Sequence, residues 1–291
     1  MLEEDNKIYH IKDGIQSFFE SYFEGYFSTN ELKDSLKSNV INKGFDELDG
    51  YLESPGLVLI ASRPAMGKSS LALTLATNLV LKDSPVLYIN MEISNEQIAQ
   101  SLISHFSQIN SYKLRNETFS FEKKSAIVEV SKNLSKLPFY VTDHDYHTTE
   151  TIKETIAKLF NRDIFIKAVF IDYIQLIDFR NNGDDRGNEL IKITRELKKI
   201  STDLRIPIVV TSQLSKTVER RRNKRPNLNN IDYSYFLDTL MFLYRDGYYN
   251  SETEEPDIAE VIIAKHPDNK LETIELHFNN ETSKFTSLKD L

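Results

Sequence analysis

Ser62-Arg63-Pro64-Ala65-Met66-Gly67-Lys68-Ser69 is the stretch that decides how this chain folds. It follows a short apolar run, Leu57–Ala61, and opens a segment, Leu71–Leu81, with apolar residues at helical spacing. A strand, a glycine-containing loop and a helix in that order make a cradle for phosphate. The loop N–H groups and the helix N-terminus both point at an anion. Lys68 adds a positive charge, and the Ser69 hydroxyl is the ligand type that meets a phosphate-bound Mg²⁺. The pattern assigns nucleotide contact to Arg63, Pro64, Ala65, Met66, Gly67, Lys68, Ser69 and Ser70. The motif's first glycine is Ser62 here, so a chance Gly-Lys-Ser in a strand–helix turn is the plainer alternative. Two further motifs weigh against chance.

Outward from this loop, apolar runs alternate with amphipathic segments. The runs Leu57–Ala61, Val86–Asn90, Ala168–Asp172, Ile208–Thr211 and Thr239–Tyr244 are strand-sized. Between them Leu71–Leu81, Gln97–His105, Ile152–Phe160 and Leu190–Leu204 read as helices. Such alternation implies βαβ units and a mostly parallel sheet covered on both faces, an α/β fold. Toward the end, Glu260–Ala264 and Thr273–Phe278, joined by His266-Pro267-Asp268-Asn269-Lys270, read as a β-hairpin. Residues 1–37 read as a short helical extension and 38–291 as the main domain. In the extension Phe18, Phe19, Tyr22, Phe23, Tyr26 and Phe27 form an aromatic stripe at helical spacing. That stripe needs a cover, either its own domain or a neighbouring subunit.

Two carboxylates stand at strand ends. Val169-Phe170-Ile171-Asp172 puts Asp172 at the C-terminal edge of the sheet, where a carboxylate holds Mg²⁺, usually through water. Alone it reads equally as a helix cap. Tyr88-Ile89-Asn90-Met91-Glu92 ends the second run, and Ser94 with Gln97 makes a capping box that starts the next helix there. Glu92 is then expected one strand over from the phosphate loop, placed to orient and deprotonate water. An exposed loop glutamate is the alternative. Gln213, after Ile208–Thr211, is a candidate contact for the γ-phosphate, with structural capping as the rival reading.

Acidic side chains outnumber basic ones by 44 to 36, and the net charge is −8, so a nucleic-acid surface would have to be local. The one dense basic run is Arg220-Arg221-Arg222-Asn223-Lys224-Arg225; Arg221, Arg222 and Lys224 are its candidate DNA contacts, and a solvated loop is the bland reading. There is no cysteine, which excludes a disulfide scaffold and a thiolate metal site. No apolar run is long enough to span a bilayer, and the opening Met1-Leu2-Glu3-Glu4-Asp5 is unlike a secretory signal, so a soluble cytoplasmic setting is expected.

The motifs together resemble the ATPase half of the DnaB family of hexameric replicative DNA helicases. Arg63-Pro64-Ala65-Met66-Gly67-Lys68-Ser69, Met91-Glu92-Ile93-Ser94 and Ile171-Asp172-Tyr173-Ile174-Gln175-Leu176 are similar to that family's signatures. So are Ser212-Gln213-Leu214-Ser215, Lys224-Arg225-Pro226, Met241-Phe242-Leu243-Tyr244-Arg245-Asp246 and Ile262-Ile263-Ala264-Lys265. The resemblance implies a RecA-like P-loop core, ATP and Mg²⁺ as cofactors, and Glu92 as catalytic base. It also implies catalytic roles for Lys68, Gln213 and Lys265, and nucleotide contact by Arg245. Further expectations are a self-assembled ring hexamer, threaded single-stranded DNA, replication proteins as partners, and a linker helix on the adjacent subunit. Three departures stand out. The family's N-terminal domain has no counterpart in some 40 residues; Asn227–Leu240 contains no Arg or Lys; and Pro267 holds the place of the arginine finger. The leading expectation is a DNA helicase. A helicase-derived ATP-binding regulator or loader, and a recombinase-like filament ATPase, are the alternatives.

Overall fold

Apolar runs with no polar alternation need cover on both faces, and here they receive it. The computed structural model describes residues 7–23, 46–52, 55–142, 147–179 and 185–291. Among these residues ten strands form one sheet in the order β1-β4-β3-β5-β6-β2-β7-β8-β9-β10. They are β1 (Ile8–His10), β2 (Leu57–Ser62), β3 (Val86–Asn90), β4 (Phe139–Thr142), β5 (Ala168–Asp172), β6 (Ile208–Gln213), β7 (Thr239–Tyr244), β8 (Ile258–Lys265), β9 (Thr273–Asn279) and β10 (Lys284–Ser287). From β4 to β7 every pairing is parallel. β1 at one edge and β8, β9 and β10 at the other pair antiparallel.

The period-2 geometry of a strand sends alternate side chains to opposite faces. In β2, Val58 and Ile60 enter one core while Leu57, Leu59 and Ala61 enter the other. The first core is closed by α1 (Ile11–Tyr22), α2 (Lys68–Leu81), α3 (Asn95–Ser107), α4 (Ser111–Asn116) and α5 (Phe121–Leu134). The second is closed by α6 (Thr149–Phe160) and α7 (Arg186–Leu204). A single turn, α8 (Asp246–Tyr249), follows β7. The expected strands and helices are present, three strands with the expected limits and the rest with longer ends. Strands β1, β4 and β10 and helices α4 and α5 join them.

The aromatic stripe finds its cover within the chain. Ile11, Ile15, Phe18, Phe19 and Phe23 are buried, and α1 packs on α3, α5 and β4. Each fully buried apolar side chain contributes about 1.5–3 kcal/mol, enough to hold α1 in place. Gly14 makes the approach close: a Cβ there would lie 2.7 Å from the Asn95 carbonyl oxygen. Tyr22 stays exposed, and Tyr26 and Phe27 fall outside the described residues.

Strand order corrects the expected position of Glu92. The strand before it, β3, is not adjacent to β2; β5 and β6 lie between them. The βαβ crossover through α2 is long enough to carry the chain past two strands.

Candidate nucleotide site

The phosphate loop leaves the C-terminal edge of β2 and turns into α2 at Gly67, which is in left-handed backbone at φ 98°. A Cβ at Gly67 would sit 3.1 Å from the Phe285 ring and 3.3 Å from Phe278, so the loop lies flat against two aromatic rings. Intrahelical bonding begins at Leu71, whose N–H donates to Gly67 O at 2.8 Å. The N–H groups at the very start of α2 precede that first bond and point out of the helix end. A glycine held by rings behind and helix N–H groups ahead fits an anionic phosphate chain.

Lys68 and Ser69 stand together at this end, 3.4 Å from Nζ to Oγ, and the Lys68 ammonium lies 4.9 Å from the Tyr173 ring centroid. Tyr173 follows Asp172 at the end of β5. Burial raises the Tyr173 phenol's pKa, and the charges of Glu92 and Asp172 raise it further. Lys68 thus lies against the residue that follows Asp172, and the charge of both carboxylates reaches its phenol. Asp172 is buried; it accepts a hydrogen bond from Thr211 Oγ1 at 2.5 Å and one from the Tyr88 hydroxyl at 3.4 Å. Burial and Asp172 together push the Tyr88 phenol well up, so it stays a donor. The turn carrying Glu92 is tied to the same edge. Met91 N donates to Asp172 O at 3.1 Å, and Glu92 N to Asn90 Oδ1 at 3.3 Å. The Glu92 side chain is exposed, and the expected Ser94–Gln97 capping box is formed.

Gln213 ends β6 beside Ser62 of β2, with its side chain exposed. Its backbone is gripped by Gln175, to which sequence alone assigned no role. Gln175 Nε2 donates to Ser212 Oγ at 2.8 Å and Gln213 O at 3.0 Å, and its Oε1 accepts from Gln213 N at 3.2 Å. Arg186 in turn donates through Nη2 to Gln175 O and Ile177 O, at 2.8 and 2.9 Å. The signal for Gln175 was its place three residues after Asp172.

Other expected site residues are committed elsewhere. The Arg63 guanidinium is buried, donating to Glu219 at 2.9 Å and Leu214 O at 2.5 Å. Those bonds anchor the segment after β6 to the loop, and Pro64, Ala65 and Met66 complete the turn, with Ala65 at φ 63°. Ser70 gives its carbonyl to Thr74 Oγ1 at 2.8 Å. Arg245 is buried behind the loop, 3.9 Å from the Phe278 ring centroid and bonded to Asn280 Oδ1 at 2.6 Å; burial lowers its pKa. Lys265 turns back on its own chain, donating to Ser234 O and Tyr235 O at 3.0 and 3.2 Å, with its pKa lowered by burial.

The basic run divides the same way. Arg221 donates to Arg225 O at 2.9 Å and Asn230 Oδ1 at 3.2 Å. The Lys224 ammonium lies 4.4 Å from the Tyr249 ring centroid, and Arg225 holds Glu260 through two bonds. Arg220 and Arg222 are exposed. Among the described residues, no group of three or more His, Cys, Asp or Glu is placed to hold a metal ion, and no helix is long and apolar enough to cross a membrane.

The chain is similar to known helicases in sequence and fold. The family described as DnaB-like helicase C terminal domain matches residues 40–287. A probable replicative DNA helicase of Trieres chinensis is 37% identical over 257 residues, covering 84% of this chain and 56% of that protein. A probable plasmid replicative DNA helicase of Chlamydia psittaci is 34% identical over 255 residues, covering 85% and 55%. This chain therefore spans about 56% of the length of the first of these relatives. Among solved structures, an isolated ATPase domain superposes with a TM-score of 0.80 at 30% identity, covering 96% of this chain and 98% of that one. A DnaB-like replicative helicase, in a structure titled for its interactions with primase, gives 0.79 at 32% identity, covering 89% and 65%.

Proposed function

Because the chain belongs to the DnaB-like helicase C-terminal domain family, we propose that it is the ATP-hydrolysing motor of a replicative DNA helicase. One observation carries this reading: the Lys68 ammonium lies 4.9 Å from the ring of Tyr173, the residue after Asp172 at the C-terminal edge of the sheet, where Asp172 O also holds the Glu92 turn through Met91 N. Lys68 and the N-terminal N–H groups of α2 would bind the β- and γ-phosphates. Ser69 and Asp172 would hold Mg²⁺ together with phosphate oxygens, since Mg²⁺ is usually bound through few protein ligands. When bound, the metal would neutralise charge on the departing phosphate. Thr211 and Tyr88 fix both Asp172 oxygens toward that task. Exposed Glu92 would take the proton from water. Gln213, its backbone fixed by Gln175, would meet the γ-phosphate.

The family reading extends to assembly. A ring hexamer would place a cation from a neighbouring subunit at each site, and single-stranded DNA would run along the exposed Arg220 and Arg222. Replication proteins are the expected partners. We assign residues 38–291 to the motor and 1–37 to the extension, whose described part adds β1 and α1 to the core.

Glu92→Gln tests the central assignment. The amide keeps shape and polarity but takes no proton, so Mg-ATP binding should persist while turnover falls by ~10²–10⁴. Unchanged turnover moves the base elsewhere, and lost binding makes Glu92 structural. Measuring the parent's ATPase rate with and without single-stranded DNA, on protein of known oligomeric state, separates a motor from a nucleotide-binding regulator.

A further inference from the structure

Behind the phosphate loop lies a second cavity, of about 210 Å³, between the last turns of α2, the end of α3 and the β9–β10 hairpin. It opens beside Thr74–Leu81, the half of α2 remote from Lys68. Part of its wall is apolar: Leu81, Phe106 and Phe285. Another part is the side chain of Lys284, whose ammonium sits 4.6 Å from the Phe106 ring centroid. Asp290 and Leu291 also line the cavity, at exposed positions; among the described residues Lys284 nonetheless forms no ion pair, and burial lowers its pKa with no carboxylate opposing that shift. His105 beside it is 3% exposed and supplies no counter-charge. Burial, with the positive field of Lys284 second, pushes its pKa down to about 3.

Lys284 is half-buried, and a cation partly withdrawn from water gains from a partner. The face of Phe106 supplies part of that gain. The remainder is available to any anion that enters. Size limits the occupant: an engineered apolar cavity of about 150 Å³ holds benzene, so 210 Å³ accepts one ring with a charged substituent. From the cavity's size, its apolar wall and its single lysine, we propose that it is a binding site for a small ring-bearing organic carboxylate, with the carboxylate on Lys284 and the ring among Leu81, Phe106 and Phe285. The site is distinct from the nucleotide site, and the inference does not rest on the helicase reading.

Calorimetric titration of benzoate into the full chain, in phosphate-free buffer, tests it. Saturable one-to-one binding is expected, at least tenfold weaker for benzamide and at least tenfold weaker in Lys284→Met. Folding of that variant is checked by its melting temperature, expected at or above the parent's because a half-buried, unpaired charge is removed; Lys284→Gln serves if it misfolds. Benzoate should bind Lys68→Ala as it binds the parent. No saturable benzoate binding overturns the proposal. Equal affinity in both Lys284 variants, or for benzamide, does the same, as does loss of binding in Lys68→Ala, which would place the anion in the phosphate loop. Inorganic phosphate binding through Lys284 where benzoate fails would remove the ring from the assignment and overturn it as stated.

Discussion

Replacing Gln175 with leucine separates the strand that presents Gln213 from the turn that follows Asp172. The side chain makes three hydrogen bonds, at 2.8, 3.0 and 3.2 Å. Each is worth about 0.5–1.5 kcal/mol net. The two to the Gln213 backbone are at an exposed position, so water replaces them and each belongs near the low end. Ser212 Oγ keeps a second partner in the Tyr233 hydroxyl at 2.5 Å. The loss of stability in Gln175→Leu is therefore about 1.5–2 kcal/mol, read by denaturant unfolding. Turnover should fall more than nucleotide affinity does, because a loosened β6 terminus misplaces Gln213 while Lys68 and Ser69 are untouched. Gln175→Glu sharpens the test. It keeps the acceptor for Gln213 N and accepts from the Ser212 hydroxyl, but sets a carboxylate against Gln213 O, and should lower turnover as leucine does. Stability within about 0.5 kcal/mol of the parent, the floor for one net hydrogen bond, with unchanged turnover in both variants, would refute the reasoning.

Three further outcomes follow from the geometry. Gly67→Ala forces a side chain into backbone at φ 98° and onto the Phe285 and Phe278 rings, a strain of about 1–3 kcal/mol that should appear as weakened Mg-ATP binding in calorimetry. Arg222→Ala should weaken single-strand DNA binding and lower the salt slope by about 1 in a fluorescence titration. Arg221→Ala, which breaks the bonds to Arg225 O and Asn230, should lower the melting temperature with a smaller effect on that slope. Pro267→Arg places a guanidinium at the exposed hairpin tip. Arginine fingers contribute ~10³–10⁵ in turnover, so assembled protein should gain rate while dilute monomer does not; an equal gain in both would show that no neighbouring site is reached.

Much of the fold is legible because burial leaves a periodic mark. The runs Val86–Asn90, Ala168–Asp172 and Thr239–Tyr244 are buried at every position, and the structure gives them the same limits. Strands at the sheet margin leave a weaker mark. β1 has three half-buried residues, β10 alternates half-buried and buried, and β4 is only four residues long. α5 was within reach: Ser120 caps it, and Ile127, Val130 and Leu134 form its buried face. Its many charged residues obscured that face. Strand order was not legible, because a parallel crossover does not state how many strands it passes, and Glu92 was placed too near the loop for that reason.

The candidate site was legible in its residue types and much less so in what each charge is committed to. A cation in a motif reads the same whether it meets a ligand or its own chain. Arg63, Arg245, Lys265, Arg221 and Arg225 all carry charge in motif positions, and all five donate to internal oxygens. Those partners lie far away in sequence or on backbone carbonyls, which carry no sequence signal. Asp172 is held by Tyr88 and Thr211, each on a flanking strand at the same sheet edge, so strand pairing brings its partners to it. The consequence for DNA binding is specific. Glu260 neutralises Arg225, whereas Arg221 and Lys224 keep their charge while resting on neutral groups, so direct contacts to a phosphate backbone from this loop fall to exposed Lys216, Arg220 and Arg222, in a chain whose net charge of −8 works against binding overall.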